Sequence, residues 1–234
     1  MIVGSNQPYL FPYIGYWQLI NLSEVYVISD SMQYIKKGYI NRNNILIDGK
    51  KYLFTLEVLG VHSNTPINKV IVGGNAKKVA KSIFHAYKKA PYFNKIYPLI
   101  EEIVLNKEKN LAKYLGYSIE TISNYLGIET NFIYLSRLQG ETDLKAEERT
   151  IDICKRVGAT HYINAIGGVK LYSKERFLKE GIELSFLQTK EIKYKQFNNK
   201  FIPNLSIIDI MMFNSKKEIK EILTKFDLIK NKGL

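Results

Sequence analysis

Gln7-Pro-Tyr-Leu-Phe-Pro-Tyr-Ile-Gly-Tyr-Trp17 follows directly on a short apolar run, residues 1–6. Proline has no amide hydrogen, so Pro8 stops the strand pairing that the apolar run predicts. Pro12 can occupy the first position of a helix, and apolar residues recur after it at helical spacing. The stretch therefore predicts a buried strand, a turn rich in amides and aromatic rings, and a helix. Such an arrangement places polar groups at the carboxyl edge of a parallel sheet.

A second apolar run, Val25-Tyr-Val-Ile28, is rich in β-branched residues and predicts a second buried strand. The carboxyl ends of parallel strands meet at one edge of a sheet. This strand should therefore bring Asp30, Gln33 and Tyr34 close to Gln7. We expect the functional site to lie in the N-terminal sixth of the chain.

The second half of the chain alternates apolar runs with helical patterns. Strands are predicted at residues 132–135, 162–165 and 184–187, and helices near 142–156 and 170–179. The alternation predicts an α/β fold, in which a mostly parallel, Rossmann-like sheet is flanked by helices. Earlier helices are expected around residues 79–87, 93–104 and 111–126. Helix ends are indicated by Gly127, by Thr142 and Ser206 as N-caps, and by a capping pattern from Ser206 to Asp209.

Asp48-Gly49 separates two apolar runs within residues 44–55 and predicts a β-hairpin. A further strand is expected at residues 67–72. We expect one domain over residues 1–234, with a small antiparallel hairpin extension inserted at about residues 44–72.

The chain of 234 residues has a net charge of +12, which attracts polyanions. Its lysines are spread along the sequence, so the excess charge reflects either composition or a binding face. No apolar run approaches the roughly 20 residues that span a bilayer, and the start of the chain lacks the basic region of a signal peptide. We expect a cytoplasmic protein.

The sequence lacks the familiar motifs of several enzyme classes. His62, His85 and His161 have no i, i+4 or cysteine partner, so no metal site is predicted. No Walker loop, GxSxG elbow or GxGxxG fingerprint occurs, so we expect no bound cofactor and no classical dinucleotide chemistry.

Asn41-Arg42-Asn43 places a guanidinium group between two carboxamides, shortly after Lys36 and Lys37. Such a group can bind a diphosphate with two hydrogen bonds, or it can belong to a solvated turn. Asp30 directly follows a buried strand, where a carboxylate can act as a general base or can cap a turn.

Five motifs resemble, in order, those of the WbqC-like family. They are Gln7-Pro-Tyr-Leu-Phe-Pro-Tyr-Ile-Gly-Tyr16, Asp30-x-x-Gln-Tyr-x-Lys36, Asn41-Arg-Asn43, Tyr87-x-x-x-Pro-Tyr-Phe93 and Phe201-x-Pro-x-Leu-Ser-Ile-Ile-Asp209. The resemblance spans residues 2–214. It implies a role in making O-antigens or other surface polysaccharides, where such proteins are suspected of acylating the amine of a nucleotide-linked amino sugar.

The leading hypothesis is therefore a sugar-nucleotide N-acyltransferase or N-aminoacyltransferase. Its substrate would be a nucleotide-linked amino-deoxysugar, for example a dTDP-linked one, and its donor either an acyl-CoA or an aminoacyl-tRNA. Only the second donor would bring a contact with tRNA. We expect catalytic roles as proton acceptor for Asp30 or His85, and as oxyanion donors for Gln7, Gln33 and Asn41. The residues expected to bind substrate are Gln7, Tyr9, Phe11, Trp17, Tyr34, Lys36, Lys37, Arg42 and Asn43.

Two other functions fit the same residues. The chain lacks a self-sufficient pair of nucleophile and base, which favours a non-catalytic protein that carries a glycan intermediate. A glycosyltransferase would use the same diphosphate contacts, but the acidic dyad of many such enzymes is missing. A variant that loses turnover while keeping ligand affinity, such as Asp30→Asn, would distinguish an enzyme from a carrier.

Overall fold

A computed structural model describes residues 1–138, 144, 146–198 and 200–230. Its strands are β1 (Ile2–Asn6), β2 (Val25–Ile28), β3 (Arg42–Ile47), β4 (Lys50–Thr55), β5 (Val58–Leu59), β6 (Ile71–Val72), β7 (Asn131–Tyr134), β8 (His161–Ala165), β9 (Glu183–Thr189) and β10 (Phe226–Ile229). Its α-helices are α1 (Ile14–Leu22), α2 (Ala76–Tyr87), α3 (Phe93–Val104), α4 (Leu111–Leu126), α5 (Ala146–Val157), α6 (Lys174–Lys179), α7 (Ile207–Phe213) and α8 (Lys216–Leu223).

Six strands form the central sheet in the order β10-β9-β8-β1-β2-β7. All neighbours pair in parallel except β10, which runs antiparallel to β9. The strand order reverses beside β1, because β2 lies on one side of it and β8 on the other. This order is that of doubly wound sheets, whose ligands bind beyond the carboxyl ends of the strands near such a reversal. The predicted α/β fold is confirmed.

The two faces of the sheet are covered by different parts of the chain. Alternation along β2 sends Tyr26 and Ile28 to one face, and Val25 and Val27 to the other. The first face carries α1 and the helices that lie between β2 and β7, and the second carries α5 and α6. The central strands are thus buried on both sides, which explains their continuous apolar runs.

The insertion between β2 and β7 begins with the predicted hairpin. β3 pairs with β4 from Arg42 opposite Thr55 to Ile47 opposite Lys50, across the turn at Asp48 and Gly49. β5 and β6 form a second antiparallel pair. The prediction of a strand at residues 67–72 was wrong for most of these residues. Ile67–Lys69 form a 3₁₀ turn after Pro66, and only Ile71–Val72 pair as a strand.

Several predicted helix boundaries are confirmed. Gly127 ends α4 with φ 75°, a conformation that favours glycine, and Ser206 caps α7 by accepting from the backbone N–H of Ile208. The capping pattern from Ser206 to Asp209 was wrong, because the Asp209 carboxylate is turned into the core. The helix predicted at residues 170–179 begins only after Ser173, and residues 166–171 form a 3₁₀ turn.

Two elements near the end of the chain, α8 and β10, were not predicted from the sequence. α8 has a complete capping box, in which Ser215 and Glu218 satisfy each other's backbone N–H groups. Thr142, the other predicted N-cap, lies outside the described residues. No helix in the described ranges has both the length and the apolar character needed to cross a membrane.

Candidate functional site

A cleft of two adjoining cavities lies beyond the carboxyl ends of β1 and β9. The small compartment has a volume of about 380 Å³ and is lined by Tyr9, Pro12, Tyr13, Tyr39, Asn43 and Asn204. The large compartment has a volume of about 670 Å³, and its lining includes Tyr13, Thr189, Lys190, Lys200, Phe201 and Asn204. Tyr13 and Asn204 belong to both linings, so the compartments meet at these two side chains.

The two compartments differ in chemistry. Aromatic rings and carboxamides dominate the small compartment, whereas Lys190, Lys193 and Lys200 contribute to the lining of the large one. Lys190 pairs with Asp227 at 2.8 Å, and Lys193 pairs with Glu191 at 2.6 Å. Exposed ion pairs of this kind are weak, so an anionic ligand can compete for the lysines. The large compartment therefore suits an anion with an apolar body.

Tyr13 is the residue directly before α1, and its neighbours fix its ring. A Cβ atom at Gly15 would lie 2.6 Å from the Tyr13 hydroxyl oxygen and 2.6 Å from the Thr189 hydroxyl oxygen, so only glycine leaves room for this approach. Burial raises the pKa of Tyr13, although 39% of the residue is exposed. A side-chain hydrogen bond with Thr189 opposes this rise. The phenol stays protonated at neutral pH, and it can donate into the cleft when a ligand takes the place of Thr189 as its partner.

The turn between β1 and α1 is held from outside. Phe11 has φ 46°, which is uncommon for a residue with a side chain. Its carbonyl oxygen accepts a hydrogen bond of 2.8 Å from the Asn43 side-chain amide and one of 2.8 Å from the Ser206 hydroxyl. The strained turn is thereby tied to β3 and to the start of α7, and the walls of the small compartment are fixed.

Arg42 holds a second turn, which carries Tyr39 into the small compartment. Its Nε donates to the Gly38 carbonyl oxygen at 2.8 Å, and a terminal guanidinium nitrogen donates to the carbonyl of Lys37. Lys37 has φ 60°, so the turn needs this support. We therefore assign Arg42 to the turn and not to the expected diphosphate contact. Lys36 and Lys37 themselves are exposed.

The structure brings several other predicted residues together, but their polar groups already have partners. Gln7 donates its side-chain amide to the Gln33 carbonyl at 2.8 Å. The Tyr34 hydroxyl donates to the Asn41 side-chain oxygen at 2.7 Å, and the Asn41 amide donates to the Leu56 carbonyl at 2.6 Å. These carboxamides join segments of backbone, so we do not assign them as oxyanion donors.

Asp30 is buried and both of its carboxylate oxygens accept hydrogen bonds from Ser136. The backbone N–H of Ser136 lies 2.9 Å from Oδ1, and its hydroxyl oxygen lies 2.6 Å from Oδ2. Asp30 thus joins the turn after β2 to the turn after β7. The geometry supports the capping role that the sequence left open, in place of the role of general base.

Two aromatic residues expected to bind substrate lie in the core. Phe11 and Trp17 are fully buried, and the Trp17 indole N–H donates to the Pro12 carbonyl at 3.0 Å. A ring must expose a face to stack on a ligand, so neither can do so. Tyr34 is also buried, whereas Tyr9 lines the small compartment. His85 is exposed on α2, where its ring contacts Phe84, and it is not among the described residues that line the cleft.

The segment between β9 and α7 forms one wall of the large compartment, and Asp209 anchors it. The Asp209 carboxylate accepts hydrogen bonds from the hydroxyls of Tyr87 at 2.8 Å and Tyr194 at 2.6 Å, and from the Gln196 amide at 2.7 Å. Burial raises the pKa of Asp209, while these three hydrogen bonds oppose the shift. Tyr194 lines the large compartment, so this buried network sets the position of its wall.

Sequence reasoning missed most residues that line the cleft. Tyr13 stands inside the quoted opening stretch, and Phe201 and Asn204 stand in or beside the motif near residue 205, yet none was selected as a site residue. The asparagine in this motif was a signal, because asparagine tolerates positive φ better than most residues. Asn204 indeed adopts φ 57°. Tyr39 and Thr189 gave no comparable signal, because only folding brings them to the cleft.

A family model described as the WbqC-like protein family matches residues 7–221. The chain is also 28% identical over 232 residues to "Uncharacterized protein Rv1507c" of Mycobacterium tuberculosis (strain ATCC 25618 / H37Rv), covering 95% of this chain and 96% of that protein. No solved structure matches the chain significantly.

Proposed function

Because the chain belongs to the WbqC-like protein family, we propose that it is a sugar-nucleotide N-acyltransferase or N-aminoacyltransferase. It acts in the cytoplasm on the amine of a nucleotide-linked amino-deoxysugar, such as a dTDP-linked one, for O-antigen or other surface polysaccharides. The observation that carries this proposal is the pair of compartments that meet at Tyr13 and Asn204. Two reactants need two adjoining sites and one shared point of reaction.

The large compartment binds the nucleotide diphosphate in this proposal. The ammonium groups of Lys190, Lys193 and Lys200 attract the phosphates, and Phe201 offers a ring for the base. Phe201 packs edge-on against Tyr194, with ring centroids 5.1 Å apart, which limits its movement. The sugar then extends towards Tyr13, with its amine at the boundary of the two compartments.

The small compartment takes the acyl or aminoacyl group of the donor. The rings of Tyr9 and Tyr39 provide an apolar lining, while the Asn43 and Asn204 carboxamides add polar contacts. A volume of about 380 Å³ accommodates a group the size of an amino acid or a short acyl chain but excludes the remainder of a large donor. The donor's carrier therefore stays outside.

In the reaction, the sugar amine attacks the carbonyl carbon of the donor. A C–N bond forms, the bond from that carbon to the donor's sulfur or oxygen breaks, and the amine loses a proton. The neutral phenol of Tyr13 and the amide of Asn204 donate hydrogen bonds to the transient oxyanion. Glu191, a carboxylate that lines the large compartment, accepts this proton and passes it to the sulfur or oxygen of the donor's carrier, which leaves with the electron pair of the broken bond.

A second function is favoured by a separate observation. The polar groups first expected to do chemistry, on Asp30 and Asn41, are engaged in hydrogen bonds inside the fold. A protein that only binds and presents a nucleotide-linked glycan would need the same cleft but no proton acceptor. Turnover distinguishes the two functions.

The test is incubation of the purified chain with dTDP-linked amino sugars, each paired with an acyl-CoA or with aminoacyl-tRNA. Mass spectrometry should show a product that is heavier by the acyl or aminoacyl group, less the amine hydrogen that this group replaces. The matched control is the same sugar with a hydroxyl in place of the amine, which should stay unchanged. Tight binding of the amino sugar with no transfer from any donor would favour the presenting protein.

A further inference from the structure

One part of the chain concentrates positive charge without any acidic residue. Between Glu57 and Glu101 the sequence contains seven lysines and no aspartate or glutamate. None of these lysines forms an ion pair with a described residue. The sequence left open whether the excess positive charge is spread evenly or forms a binding face. In this segment the positive charge is concentrated.

Three of these seven lysines, Lys77, Lys78 and Lys81, lie on α2, and Lys88 directly follows it. Its apolar residues Val79, Ala80, Ile83 and Tyr87 are buried in the core. The opposite face is exposed and carries Lys77, Lys78, Lys81, Phe84, His85 and Lys88. We call this set the lysine face. From Lys77 to Lys88 it extends about 16 Å along the helix, at a rise of about 1.5 Å per residue.

The start of α2 carries two lysines, Lys77 and Lys78. Negative side chains are favourable in the first turn, and α5, α6, α7 and α8 have one there, whereas α1, α3 and α4 do not. α2 has none, and Lys77 and Lys78 stand there instead. Their charge adds to the positive end of the helix dipole, which is unfavourable for the free helix and favourable when an anion is bound.

A ring completes the lysine face. Phe84 is 38% exposed, and its ring packs edge-on against Phe93 and Tyr97 of α3, with centroid distances of 5.4 and 5.3 Å. Lysines beside a fixed, partly exposed ring match the surfaces that bind nucleic acids, where charges contact phosphates and rings contact bases. The helix has no free apolar face to insert into a bilayer, because its apolar residues are in the core.

We infer that the lysine face binds the phosphate backbone of RNA and thereby docks an aminoacyl-tRNA as the donor. The choice of tRNA rests on the proposed function, because the aminoacyl form of that reaction takes its acyl group from an RNA carrier. The small compartment excludes the carrier, so a donor of this size needs a docking surface elsewhere on the protein.

The test compares two charge-matched variants of the full chain in binding to fluorescently labelled tRNA. Lys77→Glu/Lys81→Glu changes the lysine face, and Lys217→Glu/Lys220→Glu makes the same change of charge on exposed positions of α8. Residue 77 lies in the first turn of α2, where glutamate favours the helix, and residue 81 is exposed, so the first variant should fold as well as the parent. Its Tm is measured alongside.

We expect Lys77→Glu/Lys81→Glu to weaken tRNA binding at least tenfold, and the α8 variant less than twofold. The slope of log affinity against log salt should fall by about 1 for each lysine that no longer binds a phosphate. Phe84→Ala should also weaken tRNA binding. Its effect should persist at high salt, where the attraction between lysines and phosphates is screened but stacking on the ring remains. Equal effects on affinity in the two variants would show diffuse attraction and overturn the inference. So would equal affinity of the parent for duplex DNA or for anionic lipid vesicles.

Nucleotide-sugar affinity, measured in the same variants, separates this inference from the proposed function. It should remain unchanged when the lysine face is altered, because the sugar binds in the cleft. Loss of tRNA binding with intact sugar binding supports the docking surface even where transfer itself is not detected. Intact tRNA binding in Lys77→Glu/Lys81→Glu overturns it even where transfer is detected.

Discussion

The side-chain amide of Asn43 lies 2.8 Å from the carbonyl oxygen of Phe11, and this hydrogen bond joins the inserted hairpin to the turn after the first strand. Phe11 is held at φ 46°, so the turn depends on partners outside itself. The hairpin is therefore part of the site's construction, because β3 and the turn before it supply Asn43 and Tyr39 to the small compartment.

Asn43→Ala should destabilise the protein by about 1–3 kcal/mol, since it leaves buried carbonyl groups of Leu10 and Phe11 without this donor. Chemical denaturation measures the change in unfolding free energy. The matched control, Asn21→Ala on the exposed side of α1, should stay within about 0.5 kcal/mol of the parent. Equal effects in the two variants would mean that the hydrogen bond to Phe11 does not hold the turn.

Asp30→Asn and Ser136→Ala should both destabilise the protein, because each weakens the same link between the turns after β2 and β7, although Ser136→Ala keeps the hydrogen bond from the backbone N–H of residue 136. We expect each to cost about 1–3 kcal/mol in unfolding free energy, and the double variant to cost less than the sum. If Asp30 were the general base, Asp30→Asn would abolish turnover while Ser136→Ala kept most of it. Denaturation and transfer assays on both variants decide this.

Arg42→Ala should weaken ligand binding equally for a sugar with the diphosphate and for the same sugar without it. The reason is that Arg42 supports the turn that carries Tyr39, and its guanidinium already donates to the Lys37 and Gly38 carbonyls. Lys200→Ala provides the contrast, since it should reduce affinity about tenfold for the diphosphate form alone. A selective loss for the diphosphate form in Arg42→Ala would restore the diphosphate contact predicted from the sequence.

Asp209 should make the free energy of unfolding depend on pH in a defined direction. Burial raises its pKa in the folded protein above the ordinary value of 3.8, so the folded state binds the proton more tightly than the unfolded state. The associated stabilisation is complete below pH 3.8 and is lost as pH rises through the folded pKa. Relative to Asp209→Asn, the parent should therefore lose stability as pH rises above about 3.8. A gain of stability over that range would show that the hydrogen bonds from Tyr87, Tyr194 and Gln196 outweigh burial.

The five parallel strands of the central sheet could be predicted because the buried strands carry continuous apolar runs, as at Val25–Ile28, and are separated by periodic helices. The hairpin at Asp48 and Gly49 was equally clear, because that turn has a local chemical signature. β10 was missed because Phe226–Ile229 is an edge strand with a charged residue, and its pairing with β9 depends on distant contacts. The start of α6 was predicted too early. The helical pattern of the sequence begins before residue 173, but the helix itself begins after its N-cap, Ser173.

A cleft lies at the carboxyl edge where the sequence predicts a site, but the side chains that line it could not be predicted. Residue type alone does not distinguish a ring in the core from a ring in a cleft, so Trp17 was selected and Tyr13 was not. The same holds for polar groups, because Asn41 and Arg42 bond to backbone carbonyls that come near only after folding. Thr189 and Lys200 are distant in sequence from the opening stretch, and no local pattern connects them to it.

Tyr13→Phe tests the central claim most directly, because it keeps the ring that both compartments share and removes only the hydroxyl that donates to the oxyanion. We measure kcat for transfer to the amino sugar and Kd for the nucleotide sugar in the same preparation. The account predicts a loss of about 10²–10³-fold in kcat with little change in Kd, as expected for one oxyanion donor. An unchanged kcat in Tyr13→Phe would contradict it and would place the chemistry outside the cleft.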